Sequence, residues 1–339
     1  MNTSLHDLPK IELHRHLEGS WRLETLCDLA HEYCLPLKDY EPTTVRPFVQ
    51  IMPEEPHTME QFLSKFRFLR QFFRSETIIK RAAREAVIDA AQDNIRYMEL
   101  RFTPQALNNI MHCDYGTVIE WVCDVTQAAA AEKGITVKLI VSMNRHESLE
   151  IGQAVLEAAL AYKSRGVVGL DLAGQEAGFP PQPFQSIFER AKAEGLGVTI
   201  HAGEWSGAQS VNDAVYLLGA DRIGHGIRVL EDPELAESLA RRGTTFEVCP
   251  TSNFHSGAVI SRHLHPFHNL RESGLRVTIN TDDPLICGIS LTDELIAAQE
   301  MYGYTRADLK QLQVVAAQAA FISPAEREAL VRQFEAELE

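Results

Sequence analysis

No run of about 18 apolar residues occurs anywhere in the chain, so no segment reads as a membrane-spanning helix. The six cysteines (Cys27, Cys34, Cys113, Cys123, Cys249 and Cys287) contain no Cys-x-x-Cys pair and are too sparse for a disulfide framework. Reduced thiols in a cytoplasmic protein are expected, and Cys249, after an apolar strand pattern, reads as a small buried hydrophobe rather than a nucleophile. Positive charge is scarce as well. With 32 Lys and Arg against 47 Asp and Glu, the net charge of −15 argues against nucleic acid or an anionic membrane as main partner. Residues 1–7 have no basic start and no apolar core, so no signal peptide is expected. Internal repeats, low-complexity tracts and linkers are missing too, which favours one domain over residues 1–339.

What is present is a series of short strand-like runs separated by amphipathic stretches. Eight runs stand out, at 10–16, 95–102, 136–141, 167–172, 198–201, 221–225, 245–249 and 276–282. Several are apolar and β-branched, as strands covered on both faces are. Helical patterns at 78–91, 148–163 and 184–194 lie between them. Repeated strand–helix units mean an α/β protein, and eight of them favour a (β/α)8 TIM barrel, although periodicity alone also fits a doubly wound sheet. Helical patterns at 291–301, 306–321 and 324–338 follow the last strand as extra C-terminal helices. The interval 17–94 is too long for one crossover and reads as a helical insertion after the first strand. Within it, Met59, Phe62, Leu63, Phe66, Leu69 and Phe73 fall at helical spacing over 58–74. Such a stripe is core or, because the insertion leaves the C-terminal end of a barrel strand, a lid over the mouth.

Polar residues of metal-binding type end four of the strands. His14 and His16 sit two apart, so in a strand they face one point. His201-Ala202-Gly203-Glu204 closes the fifth run, Gly224-His225-Gly226 the sixth, and Asn280-Thr281-Asp282-Asp283-Pro284 the eighth. In a barrel these ends converge on one mouth, where imidazole and carboxylate make a divalent-metal site. Taken singly, each is also an ordinary turn, cap or core residue. His255, His263, His265 and His268, clustered after the seventh run, read as a polar loop and helix start rather than a second metal site.

The ordered set L-H-R-H-L-E-G, R-F-T-P, L-A-G-Q-E, H-A-G-E, R-I-G-H-G and N-T-D-D-P resembles the adenosine deaminase family of zinc hydrolases, from Pro9 to the C-terminal helices. The resemblance implies one Zn2+ per subunit, held with an activated water by His14, His16, His201 and Asp282. It further implies that Glu204 protonates purine N1 and that His225 orients and deprotonates the water. Asp283 would hydrogen-bond N7, the Gly174 N–H would meet N3, and Met59, Phe62 and Phe66 would lie over a purine nucleoside. A glutamic acid able to donate a proton near pH 7 needs a dry pocket, which gives a lid a chemical use. The fourth run ends Leu170-Asp171-Leu172-Ala173-Gly174, without the lysine that bridges two metals in related barrels, so one metal is expected.

Two positions depart from the family pattern. Glu18 stands where aspartate is usual near the sugar hydroxyl, and Gln175 replaces the usual aspartate after Gly174. Adenosine and 2′-deoxyadenosine are the first reading of the substrate. Adenine, or another 6-aminopurine nucleoside such as aminodeoxyfutalosine, is the alternative. A catalytically silent purine-binding protein would be expected to have lost one of the ligands, Glu204 or His225, and all are present.

Overall fold

The computed structural model describes residues 5–338, so part of the opening segment discussed above lies outside the described residues. Eight parallel strands follow one another in chain order: β1 Lys10–His16, β2 Ile95–Phe102, β3 Thr136–Asn144, β4 Val167–Ala173, β5 Gly197–Ala202, β6 Arg222–His225, β7 Thr245–Val248 and β8 Arg276–Ile279. Sequential order is that of a barrel, whereas a doubly wound sheet reverses direction at a switch point. The seam between β8 and β1 is joined by Asp282, whose N–H donates to the His14 carbonyl at 2.9 Å while its carbonyl accepts from His16 N–H at 2.8 Å. Asn280 adds to it, accepting the Leu13 N–H on Oδ1 at 3.1 Å.

Most strand bounds match the sequence pattern within a residue or two, and β3 runs three residues beyond its expected end, into Asn144. The eighth differs. It was expected to reach Asp282 but ends at Ile279, because Asp282 has a left-handed φ of +62° that cannot continue a pleated ladder.

Alternation sorts each strand into two faces. Leu100 and Phe102, Val198 and Ile200, and Phe246 and Val248 are buried apolar residues of one parity, beneath the helices. The other parity carries Glu99 and Arg101, Asp171, Thr199, Arg222 and Glu247, all buried inside the barrel. A barrel interior usually stacks branched aliphatic side chains; this one holds charge. Arg222 donates to Glu99 and to Glu247 at 2.5 Å each, and Arg101 donates to Glu247 at 2.6 Å and lies 3.3 Å from Asp171. At the lower end the Arg222 guanidinium lies 3.5 Å from the Phe321 ring centre and donates to the Ala319 carbonyl at 2.8 Å. Such buried pairs are weak sources of net stability but leave each partner little freedom to move.

The 17–94 interval contains helices Leu23–Glu32, Pro42–Val49, Met59–Leu69 and Glu76–Gln92. Thr58 starts the third, its hydroxyl accepting the Gln61 N–H. The 58–74 stripe was read as one helix; the α-helix stops at Leu69 and a 3-10 turn, Arg70–Phe72, follows. That break drives Phe72 and Phe73 into the core beside Trp21. The expected C-terminal helices form at Leu291–Tyr302, Arg306–Ala319 and Pro324–Leu338. Buried apolar side chains form one contiguous cluster, and no helix among the described residues is long and apolar enough to cross a membrane.

Candidate active site

A cavity of about 280 Å³ opens at the C-terminal ends of the strands, near the lower bound of ~300 Å³ for small-molecule sites. His16, His201, Glu204, His225, Asp282 and Asp283 line its floor, Glu18 and Gly174 its sides, and Phe62, Leu63 and Phe66 its roof. The sequence motifs therefore do converge. Met59 does not line the cavity: it is the first residue of its helix, one turn further out than Phe62 and Leu63. The stripe is thus divided, Phe62, Leu63 and Phe66 facing the cavity and Leu69 and Phe73 buried in the core.

His14, His16, His201 and Asp282 each bring one ligand atom into a group whose members all lie within 4.8 Å of one another. His14 Nε2 and His16 Nε2 lie 3.2 and 3.3 Å from Asp282 Oδ1, and His16 Nε2 lies 3.2 Å from His201 Nε2. His14 Nε2 is buried and, despite that short approach, forms no hydrogen bond. The opposite ring nitrogens are tied down by carboxylates, His14 Nδ1 to Glu247 at 2.8 Å and His201 Nδ1 to Asp171 at 2.9 Å. A carboxylate on Nδ1 fixes the proton there and leaves the Nε2 lone pair directed into the mouth, the arrangement that metal-binding histidines have. Three imidazole nitrogens and a carboxylate oxygen are a donor set that suits zinc. These residues fit a divalent metal. Cys249 shares a second close group with His225 and Asp282, but burial pushes its thiol well above the ordinary range, away from thiolate chemistry.

The local backbone explains why these side chains meet. By strand alternation His225 would share the outward parity of Ile223; its left-handed φ of +62° turns it into the mouth instead. Such a conformation costs a non-glycine residue ~1–3 kcal/mol and is characteristic of functional positions. Gly224 must be glycine because a Cβ there would stand 2.9 Å from His14 Cε1. Gly19 is needed for Asp283 in the same way, since its Cβ would fall 1.9 Å from Asp283 Oδ1.

Glu204 is held by residues to which the sequence motifs give no role. The Glu176 carboxylate accepts the backbone N–H groups of Gly203, Glu204, Trp205 and Ser206 and the Ser210 hydroxyl, fixing the loop that carries Glu204. Ser256 Oγ donates to Glu204 Oε1 at 3.0 Å, and Asn253 Nδ2 lies 3.3 Å from the same oxygen and 3.1 Å from His225 Nδ1. The Phe267 N–H donates to His265 Nδ1, so His265 carries its proton on Nε2 and gives it to Asn253 Oδ1 at 3.2 Å. That bond directs the Asn253 NH2 toward Glu204 and His225. Ser252 donates to Asp282 Oδ2 at 2.6 Å. None of His255, His263, His265 and His268 enters a metal-type group among the described residues; His265 is a brace. A signal for the buried carboxylates did exist: Asp171 and Glu247 are lone acidic residues within apolar strands.

Electrostatics follow from burial. Burial, reinforced by the Asp282 and Glu176 carboxylates, holds the Glu204 carboxyl well above its usual range. Burial also keeps His225 well below the usual imidazole value. Glu18 is pushed up to about 7 by burial; its Oε1 accepts the Thr103 N–H at 2.7 Å, while Oε2 has no partner. Asp283 Oδ1 is likewise buried and unpartnered. Burial and the neighbouring Asp282 and Glu18 charges raise this carboxyl well above its ordinary range.

The family model described as adenosine deaminase matches residues 9–336. An adenosine deaminase from Shewanella loihica is 38% identical over 325 residues, covering 95% of this chain and 97% of that protein. Among solved structures, a zinc-bound amidohydrolase from Burkholderia ambifaria superposes with a TM-score of 0.89 at 27% identity, over 98% of this chain and 91% of that one. The adenine deaminase of Arthrobacter aurescens gives 0.87 at 26% identity, over 97% and 98%.

Proposed function

The chain belongs to the adenosine deaminase family, and from that premise we propose that it hydrolyses adenosine and 2′-deoxyadenosine to inosine and 2′-deoxyinosine with release of ammonia. The observation that carries the reading is the joint presence, at one buried mouth, of the four-residue ligand group and a glutamic acid kept protonated by burial.

His14, His16, His201 and Asp282 would hold one zinc ion per chain, and the zinc-bound relative supports that choice of metal. When bound, such an ion activates a water for attack near neutral pH. The chain's own residues do the rest. Glu204, protonated, donates to purine N1, which places the developing charge on the ring nitrogen and opens C6 to the nucleophile. In the overall balance the water oxygen becomes the C6 carbonyl, one of its protons ends on N1 by way of Glu204, and the other leaves with ammonia. His225 Nε2 faces Glu204 Oε2 at 3.6 Å and Asp282 Oδ2 at 4.0 Å. With the Asn253 amide donating to Nδ1, the neutral ring keeps its proton on Nε2, so His225 orients the attacking water by donating a hydrogen bond. The proton removal expected of it would need that amide turned over.

Asp283, whose raised carboxyl keeps its proton, is placed to donate from Oδ1, buried without a partner, to purine N7, and Gly174 offers its N–H to N3. Glu18 Oε2, also unpartnered, takes a sugar hydroxyl. Phe62 and Phe66 cover the base and keep water out, which sustains the raised Glu204 carboxyl. We read the chain as one domain in which residues 17–94 supply the lid. Its six cysteines are all unpaired, which supports a cytoplasmic setting.

Ammonia release by the zinc-loaded protein on adenosine, 2′-deoxyadenosine, adenine and aminodeoxyfutalosine tests the reading. Turnover of the first two well above adenine supports it; preference for adenine or for the modified nucleoside replaces the substrate while leaving the chemistry in place.

A further inference from the structure

The opposite end of the barrel has a cavity of its own. Beside Phe321, at the N-terminal ends of the strands, lies a groove of about 670 Å³, more than twice the volume of the cavity at the mouth. Phe321 plugs the barrel from below: its N–H donates to Glu99 at 2.6 Å and its ring lies under the Arg222 guanidinium. Carboxylates gather at the mouth, whereas cations gather here. Lys138, Lys163, Lys192, Arg222, Arg276 and Arg327 line the groove against two acids, Asp221 and Glu326, in a chain whose net charge is −15.

Strand register explains why two of these cations point inward. Thr245 pairs with Arg222 on one side and with Arg276 on the other, so Arg276 shares the inward parity of Arg222. Lys138 pairs with Glu99 and faces inward for the same reason. Arg327 and Gln318 come from the helices on either side of Phe321 in the chain, and Gln318 Oε1 accepts from Arg276 Nη2 at 3.0 Å.

The charge is not neutralised within the groove. Arg222 spends its donors on Glu99, Glu247 and the Ala319 carbonyl. Asp221 is taken by Lys192 at 2.6 Å and by the Val198 N–H at 2.9 Å, and Glu326 by the Ser323 N–H and hydroxyl that start its helix. Lys138, Lys163, Arg276 and Arg327 are left without a carboxylate partner among the described residues. Arg276 Nε is, in addition, buried without a hydrogen-bond partner. Like charges gathered in a concave site raise the local concentration of anions, and an open guanidinium N–H is a donor that an oxyanion completes.

We propose that this groove binds a phosphate-type oxyanion, free or carried on a small molecule, with Arg276 and Arg327 as its principal ligands and Lys138 and Lys163 supplying further charge. A guanidinium suits such a group because its N–H donors form a fork that matches two oxygens at once. The groove lies at the far end of the barrel from the mouth, so the inference goes beyond the deaminase reading and does not depend on it.

The test is calorimetric titration of the zinc-loaded protein with inorganic phosphate, pyrophosphate and glycerol 3-phosphate, for the wild type and for Arg276→Gln, Arg327→Gln and Lys138→Gln. The wild type should bind at least one of the three saturably, at one per chain. The tightest tells whether the anion is free, condensed or carried on a small molecule. Arg276→Gln should weaken that binding about 10-fold or more, the size of one charge-assisted hydrogen bond. Arg327→Gln should weaken it about 5-fold and Lys138→Gln about 3-fold, as more exposed charges do. Circular dichroism shows that each variant is folded; should Arg276→Gln not fold, the other two decide by their own ratios. No saturable binding of any probe up to about 10 mM overturns the proposal. So does binding that all three variants keep at wild-type strength, which would place the anion elsewhere, at the zinc if stripping the metal abolishes it.

Discussion

The two walls of the cavity are built on opposite terms. The reacting groups on the barrel wall have buried braces: Glu247 and Asp171 behind two histidines, Glu176 behind Glu204, and Asn253 between Glu204 and His225. The roof, contributed by the insertion, presents Phe62 and Phe66 together with Arg67 and Arg70, and Arg70 Nε has no hydrogen-bond partner among the described residues. The braced groups are fixed before any ligand arrives, whereas the roof and the unpartnered Glu18 Oε2 and Asp283 Oδ1 are left for a ligand to meet. Reaction chemistry, intolerant of small displacements, belongs on the braced wall, and selectivity between substrates belongs on the roof.

The sharpest way to break that contrast is to disable the braced wall without disturbing its shape. Glu204→Gln keeps the hydrogen bonds from Ser256 and the loop held by Glu176 but has no acidic proton; turnover of adenosine should fall ~10²–10⁴-fold with bound metal unchanged. Near-normal turnover would remove Glu204 from the chemistry. Next in size come the braces. Glu247→Gln and Asp171→Asn should weaken metal affinity ~10–100-fold in competition with a chelator, by loosening His14 and His201 respectively.

Changes in the roof should be milder and of another kind. Phe66→Ala removes part of the cover and should cost about 10-fold in kcat/KM, read mostly in KM, since burying an aromatic ring is worth ~1.5–3 kcal/mol. The smallest effect joins the two walls. In the proposed mechanism Glu204 acts in its protonated form, and its carboxyl is raised by burial, so activity should be retained through neutral pH and lost as pH climbs through that raised value. Water admitted by Phe66→Ala relieves the burial that causes the shift, so the alkaline limb of the pH–rate profile should move to lower pH by about half a unit to one unit. A limb that stays in place would mean that the roof does not keep Glu204 dry.

The same contrast marks what the sequence could and could not disclose. Strand positions were legible because β-branched runs alternate with amphipathic helices, and the ligand residues because a barrel gathers strand ends at one mouth. The braces were harder to see. Asp171, Arg101 and Glu247 come from three strands, and nothing local says that a charge inside one apolar run will meet a charge inside another. Asp282 was placed in the last strand because the apolar run leads directly to it; its left-handed backbone is imposed by the seam with β1, a long-range contact. Helical spacing put Met59 in one stripe with Phe62 and Phe66, but spacing does not tell how far along its axis a helix reaches over a cavity.

The central claim is that a single divalent metal, held by His14, His16, His201 and Asp282, works with a protonated Glu204 at one mouth. Stripping the protein of metal and titrating zinc back while following ammonia release from adenosine tests it most directly. Turnover should be absent from the stripped protein, rise linearly and saturate at one zinc per chain, with Glu204→Gln taking up the same single zinc and gaining almost no turnover. Full turnover without metal, saturation only at two ions, or an active Glu204→Gln would contradict it.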